Sequence, residues 1–300
     1  MLELVRGYAT AALDAARRAE RLDRTASDLS ATARLLVSSE SLRAALTDGA
    51  IPPVERVAVL RDLLGSKVTP EALAPIAYSI YNERSVELPK TVEQLVELAE
   101  EAASRAKASL PGGAEPPAGR SGAYERIRGY ADHVFEQIAN RKDVDAVEDE
   151  LYRLARVAEK TPSLLQALAD TAVPIEGRLG VLEDLLASRV RPDTARLAAY
   201  ILRAGRSRSF DSALDYLVEI AAAERGRRIA DVRSAVDLTA DERQRLSAAL
   251  AVLTRRPVEL RVRLDPSAIG GLSVAVGDFV IDGTVRNRLA QLRETLLQSA

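Results

Sequence analysis

Residues 262–289 read VRLDPSAIGGLSVAVGDFVIDGTVRNRL, and the change of period there separates a sheet-forming region from the helical sequence before it. Val258, Leu260, Val262 and Leu264 alternate with Glu259, Arg261 and Arg263, the pattern of a strand with one buried face. Pro266 and the Gly270-Gly271 pair punctuate the chain, and Leu272, Val274 and Val276 alternate again. Gly277-Asp278 then predicts a turn before a short strand at 279–281. Asp282, Gly283 and Thr284 supply capping chemistry for an amphipathic helix whose apolar positions are Val285, Leu289, Leu292 and Leu296. Upstream, the helical pattern yields to a strand at 229–236, so this region reads as a small α/β domain.

The rest of the chain is a duplication. Shifting the sequence by 122 positions (130 − 8) lays one half on the other without a gap. Arg6-Gly7-Tyr8-Ala9 falls on Arg128-Gly129-Tyr130-Ala131, and Leu46, Asp48, Pro52 and Arg56 fall on Leu168, Asp170, Pro174 and Arg178. Val59-Leu60, Asp62-Leu63-Leu64, Ser66, Val68 and Pro70 recur as Val181-Leu182, Asp184-Leu185-Leu186, Ser188, Val190 and Pro192. Shared helical composition alone does not align prolines and aspartates. Within each copy the apolar spacing is helical, as in Val5, Ala9, Ala12, Leu13 and Ala16 or Ile127, Ala131, Val134, Phe135 and Ile138, which predicts five or six helices per copy. The Pro/Gly-rich run at 111–122 reads as a flexible linker. The fold class expected is mainly α: a helix bundle at 1–110, the linker, a second bundle at 123–225, and a small α/β C-terminal domain at 226–300.

Composition narrows the function classes. A net charge of −2, a pI near 5.8 and 29% charged against 47% hydrophobic residues describe a globular chain, not a nucleic-acid-coating one. With no cysteine there are no disulfides, thiolate metal sites, iron–sulfur clusters or cysteine nucleophiles. No apolar run approaches the roughly 18 residues of a membrane span, and Glu3 and Arg6 stand where a signal peptide would be apolar. The expectation is a soluble protein that meets a membrane only through a partner.

Catalytic signals are weak. The single His133 has no second His or Cys to complete a zinc site, and it reads as a surface or boundary residue. No phosphate-binding Gly-rich loop ends in Lys-Ser/Thr. Asp265, Asp278 and Asp282 fall at strand ends, where they suit turns and caps better than a metal or acid–base pair. Arginines at 203, 206 and 208, at 225, 227 and 228, and at 255 and 256 suggest a basic side. The acidic pI and 4% aromatics favour a protein contact or a solvated face there over nucleic acid. No cofactor is expected.

The run at 262–289 resembles the C-terminal signature of the delta subunit of F-type ATP synthase, the family of the mitochondrial oligomycin-sensitivity-conferring protein. Gly270, Gly271, Gly277, Asp278, Ile281, Asp282, Gly283, Arg286 and Leu289 carry that signature as structural positions. Arg6-Gly7-Tyr8-Ala9-Thr10-Ala11-Ala12-Leu13, Asn82-Glu83-Arg84 and Leu88-Pro89 are similar to the helical part of the same family, so 123–300 spans one family member and 1–110 is an extra copy.

The resemblance implies a non-catalytic stator subunit that links the catalytic head to the peripheral stalk during proton-driven ATP synthesis. Its implied partners are the alpha and beta subunits and b-type stalk subunits, at the cytoplasmic face of a bacterial membrane reached only through the complex. It further implies that a bundle's first and fifth helices form a groove for an alpha N-terminal helix. In the two copies that groove falls on Tyr8, Ala12, Ala74, Ala77 and Tyr78, or on Tyr130, Val134, Arg196, Ala199 and Tyr200. The rival reading is a helical adaptor that reuses this fold in another complex, separable by co-purification.

Overall fold

The computed structural model describes residues 1–107, 122–138, 141–224, 228–254, 258–265, 271–276 and 279–282. The chain divides into two compact units, Met1–Leu217 and Val218–Ala300. Most of the linker expected at 111–122 lies outside the described residues.

The first copy comprises α1 (Glu3–Arg18), α2 (Leu22–Ser38), α3 (Glu40–Thr47), α4 (Pro53–Leu64), α5 (Pro70–Asn82), a 3-10 turn (Ser85–Glu87) and α6 (Leu88–Lys107). The second repeats it with α7 (Ala123–Gln137), α8 (Arg141–Glu159), α9 (Pro162–Ala169), α10 (Ile175–Leu186), α11 (Pro192–Arg203), a 3-10 turn (Ser207–Ser209) and α12 (Phe210–Glu224). Prolines open α4, α5, α9 and α11, where a missing N–H costs no helical hydrogen bond. The core uses matched positions: Leu29, Leu46, Leu60, Ile80, Leu88 and Leu95 are buried in the first copy, and Leu151, Leu168, Leu182, Leu202, Phe210 and Leu217 in the second.

The repeated polar residues have matched work as well. Arg56 Nη1 donates to the Leu46 carbonyl at the end of α3 (3.1 Å), and Arg178 Nη1 donates to the Leu168 carbonyl at the end of α9 (3.1 Å). Each buried guanidinium therefore satisfies a carbonyl that its helix leaves unpaired. Asp48 Oδ1 accepts from the Ala50 amide (2.8 Å) and Asp170 Oδ1 from the Ala172 amide (2.9 Å), forming the turn that leads into α4 and α10. At the next junction Asp28 accepts from the Thr69 amide (2.7 Å) and Glu150 from the Arg191 amide (2.8 Å), so a carboxylate from α2 or α8 caps the start of α5 or α11.

The second unit holds a four-stranded sheet in the order β2-β1-β3-β4, with β1 (Arg228–Ser234), β2 (Val258–Leu264), β3 (Leu272–Val276) and β4 (Phe279–Asp282). β1 and β2 pair in parallel through the crossover helix α13 (Ala240–Thr254), while β3 pairs antiparallel with β1 and β4. Helix α13 starts with a reciprocal cap. The Glu242 carboxylate accepts from the Thr239 amide (2.8 Å), and the Thr239 hydroxyl accepts from the Glu242 amide (3.3 Å). Ala230, Val232, Leu250, Val258 and Val274 form the core between helix and sheet. The expected strands at 229–236, 258–264, 272–276 and 279–281 are present within a residue or two. The helix expected after Thr284 lies outside the described residues.

Candidate partner-binding faces

Helix α1 is buried almost all round: Val5, Ala9, Ala12, Leu13 and Ala16 on one side, Gly7, Tyr8, Ala11 and Asp14 on the other. A single bundle needs one apolar stripe per helix, so the second face of α1 has a second neighbour. That neighbour is α7, and α1 with α7 is the most extensive helix contact in the first unit. The two copies pack on each other through their first helices.

Glycine sets how close they come. A Cβ on Gly7 would stand 2.0 Å from the Arg126 carbonyl oxygen, and one on Gly129 would stand 1.9 Å from the Leu4 carbonyl oxygen. No side chain fits either gap. Arg126 is the repeat partner of Leu4, and Gly129 that of Gly7, so the contact maps onto itself when the copies are exchanged. The hydroxyls obey the same rule: Tyr8 Oη donates to Glu136 (2.5 Å) and Tyr130 Oη to Asp14 (3.0 Å), and Glu136 is the partner of Asp14. Tyr8 stacks on Tyr78 at 4.0 Å and Tyr130 on Tyr200 at 3.9 Å. This reciprocity defines a pseudo-two-fold axis, the intramolecular form of an isologous dimer contact. Tyr78 Oη to Asp132 (2.5 Å) and Arg203 to Asp14 (3.4 Å) tie α5 and α11 across it, and an Arg126–Glu3 ion pair adds to the α1–α7 contact.

The ten predicted groove residues come from α1, α5, α7 and α11, the four helices that meet at this axis. Tyr8, Ala12, Ala77, Tyr130, Val134 and Tyr200 are buried, and Ala74, Tyr78, Arg196 and Ala199 are half-buried. Tyr8, Tyr78 and Tyr130 donate to carboxylates of the opposite copy, and Tyr200 stacks on Tyr130. Burial, reinforced by the neighbouring carboxylates, raises the Tyr8, Tyr78 and Tyr130 hydroxyls well above the usual tyrosine range and keeps them as donors. Burial also raises Asp132 and Glu136, against the lowering effect of the tyrosine hydrogen bonds they accept.

His133 corrects the expectation of a surface histidine. It is 3% exposed, edge-on to Tyr8 at 4.8 Å, with neither ring nitrogen hydrogen-bonded. Its repeat partner Ala11 is equally buried, because α7, like α1, has two covered faces. Burial pulls the imidazole down to about 4, with Arg18 and Arg196 adding to the effect and Asp14 opposing it. The basic side is also redrawn: Arg203 pairs with Asp14, and Arg206 lies over the Tyr124 ring at 4.2 Å, while Arg208 is exposed. Positions 225, 227, 255 and 256 lie outside the described residues.

Among the signature residues, Gly271 adopts φ 77°, Ile281 pairs with Val274, and Asp282 ends β4. Gly270, Gly277, Asp278, Gly283, Arg286 and Leu289 lie outside the described residues. The Asp265 amide donates to the Ser234 carbonyl (2.8 Å) at the end of the β1–β2 pair. Among the described residues no group of three or more acidic or histidine side chains is placed to hold a metal ion, and no helix is long and apolar enough to cross a membrane.

The profile of the family described as ATP synthase delta (OSCP) subunit matches residues 4–111 and 127–296, which takes in both helical copies and the sheet. A protein named ATP synthase subunit delta from Parafrankia sp. (strain EAN1pec) is 34% identical over 280 residues, covering 93% of this chain and 88% of that one. One of the same name from Kineococcus radiotolerans is 34% identical over 305 residues and covers 98% of each. A likeness of that extent, running through the duplicated bundles and the α/β unit alike, makes this chain a member of the ATP synthase delta (OSCP) subunit family.

Proposed function

We infer that the chain is the non-catalytic stator subunit that links the catalytic head of ATP synthase to its peripheral stalk. The observation that carries this reading is the family match across nearly the whole chain, both copies included. The work is mechanical: the helical unit holds alpha and beta subunits of the head, and the α/β unit holds the ends of b-type stalk subunits. The protein then sits at the cytoplasmic face of the membrane, attached through the complex. Contacts in series must each outlast many turnovers, and nanomolar affinity is about −12 kcal/mol, which calls for well-packed helical surfaces.

On this reading a partner helix reaches the Tyr8 or Tyr130 face only by parting α1 from α7. The test is recovery of the tagged full chain from solubilised membranes, with bound proteins identified by mass spectrometry. Alpha, beta and b subunits in stoichiometric amounts are expected; their absence beside another reproducible partner would mean that the fold serves a different complex.

A further inference from the structure

The pseudo-two-fold axis relates the backbones of the two copies, but the charges at its two ends differ. Beside Tyr8 and Tyr78 stand two carboxylates, Glu136 and Asp132. Beside Tyr130 stand arginines: Arg17 of α1 and Arg203 of α11 both pair with Asp14. The residues at the matching positions of the opposite copy are Ala139 and Tyr81, so a site built on these two arginines exists once in the chain.

Asp14 is shared three ways. Its Oδ1 accepts from Arg17 (2.8 Å), and its Oδ2 accepts from Tyr130 (3.0 Å) and, at the longer distance of 3.4 Å, from Arg203 Nη1. Only 14% of the Arg203 side chain is exposed, and its Nε is buried with no hydrogen-bond partner among the described residues. A donor left unmade is costly when buried, and more so on a charged group.

Arg17 and Arg203 line a cavity of about 30 Å³ together with Asp14, Glu101 and Arg105, so three guanidinium groups stand there against two carboxylates. Glu101 pairs with Arg105, but its side chain is 51% exposed, and water and salt screen its charge far more than that of Arg203. Beyond the lining, the exposed Glu97 belongs to a separate cavity with Met1 and Glu3. The exposed Arg18 offsets it, acting with Arg203 on the Tyr130 hydroxyl beside Asp14. The cavity is left with one positive charge in excess, and leucine, alanine and Thr10 complete its wall.

We propose that this cavity binds one small monovalent anion the size of chloride, held by Arg17, Arg105 and Arg203. A volume of about 30 Å³ admits an occupant little larger than a water molecule, which rules out a tetrahedral oxyanion such as phosphate or sulfate. A neutral water would fit but would leave the excess charge uncompensated. Arg17 and Arg105 come from the first copy and Arg203 from the second, so the anion ties the copies together at the arginine end of the axis. The stability of Met1–Leu217 is then linked to chloride concentration.

The test is urea unfolding of the full chain in mixtures of sodium chloride and sodium gluconate at constant ionic strength, followed by circular dichroism. The midpoint is expected to rise with chloride and level off, bromide to replace chloride, and phosphate to give no saturable rise. Crystals grown in sodium bromide are expected to show an anomalous peak between Arg17 and Arg203. Arg203→Met is expected to lose the chloride-dependent part of the midpoint, whereas Arg208→Met, at an exposed position outside the cavity, keeps it. Because Arg203 also supports the contact between the copies, Arg17→Gln is the second variant, expected to fold and to weaken the apparent chloride affinity by about tenfold. A midpoint independent of chloride overturns the proposal, and so does a chloride-dependent rise that survives unchanged in Arg17→Gln. A bromide peak without chloride-dependent stability marks an adventitious ion only and overturns it as well.

Discussion

A buried imidazole with no hydrogen-bond partner couples His133 to the acid sensitivity of the first unit. Its folded pKa of about 4 lies below the ordinary 6.5, so the unfolded chain takes up the proton first. The stability this histidine allows is whole above about pH 6.5, declines as the pH falls, and is lost by about pH 4. At roughly 1.4 kcal/mol per unit the shift amounts to about 3 kcal/mol. Asp132 and Glu136 work the other way, since their raised pKa values favour the folded state as acid is added, so the histidine is isolated by comparison with a variant. The gap in unfolding free energy between His133→Leu and the parent, read by urea denaturation, is expected to widen in the variant's favour from pH 7 to pH 4.5. A constant gap would place the acid sensitivity elsewhere.

Among the elements, the α1–α7 crossing depends on two glycines, and a paired substitution separates that role from ordinary helix propensity. Gly129→Ala adds a methyl group 1.9 Å from the Leu4 carbonyl oxygen, a backbone atom that cannot rotate away. Overpacking costs on the order of 1–3 kcal/mol and outweighs the gain of up to about 1 kcal/mol that alanine brings to a helix. Gly180→Ala in α10 meets nothing within 4 Å, and its repeat partner is already Ala58, so the propensity gain of up to about 1 kcal/mol is expected alone. Opposite signs in urea unfolding bear out the crossing; equal stabilisation would refute it.

The helices, their proline starts and the strands were legible because each rests on a local period or a local breaker. The crossing was not, because a single apolar stripe accounts for a helix in a bundle, and the stripe Val5, Ala9, Ala12, Leu13, Ala16 leaves the opposite side unread. Gly7 and Gly129 at matched positions, each between Arg and Tyr, were the available signal. They read as family-like sequence because the surface they serve is formed by residues some 120 positions away. His133 was misplaced for the same reason: on one covered face it falls toward solvent, on two it falls inside.

For the molecule as a whole, duplication has produced a body in which the copies are fastened by their own surfaces. Met1–Leu217 forms one compact unit, and the ties across its axis, Tyr8–Glu136, Tyr130–Asp14, Tyr78–Asp132 and Arg203–Asp14, are all side-chain contacts formed without the connecting chain. The peptide joining Lys107 to Gly122 is therefore redundant for cohesion once the protein is folded. A protease site inserted at Gly112-Gly113 and cut in the folded protein is expected to leave two fragments that co-elute as one particle on gel filtration and separate only in denaturant. On the stator reading, load passing from one copy to the other crosses the tyrosine-lined α1–α7 contact and is spread over its whole area.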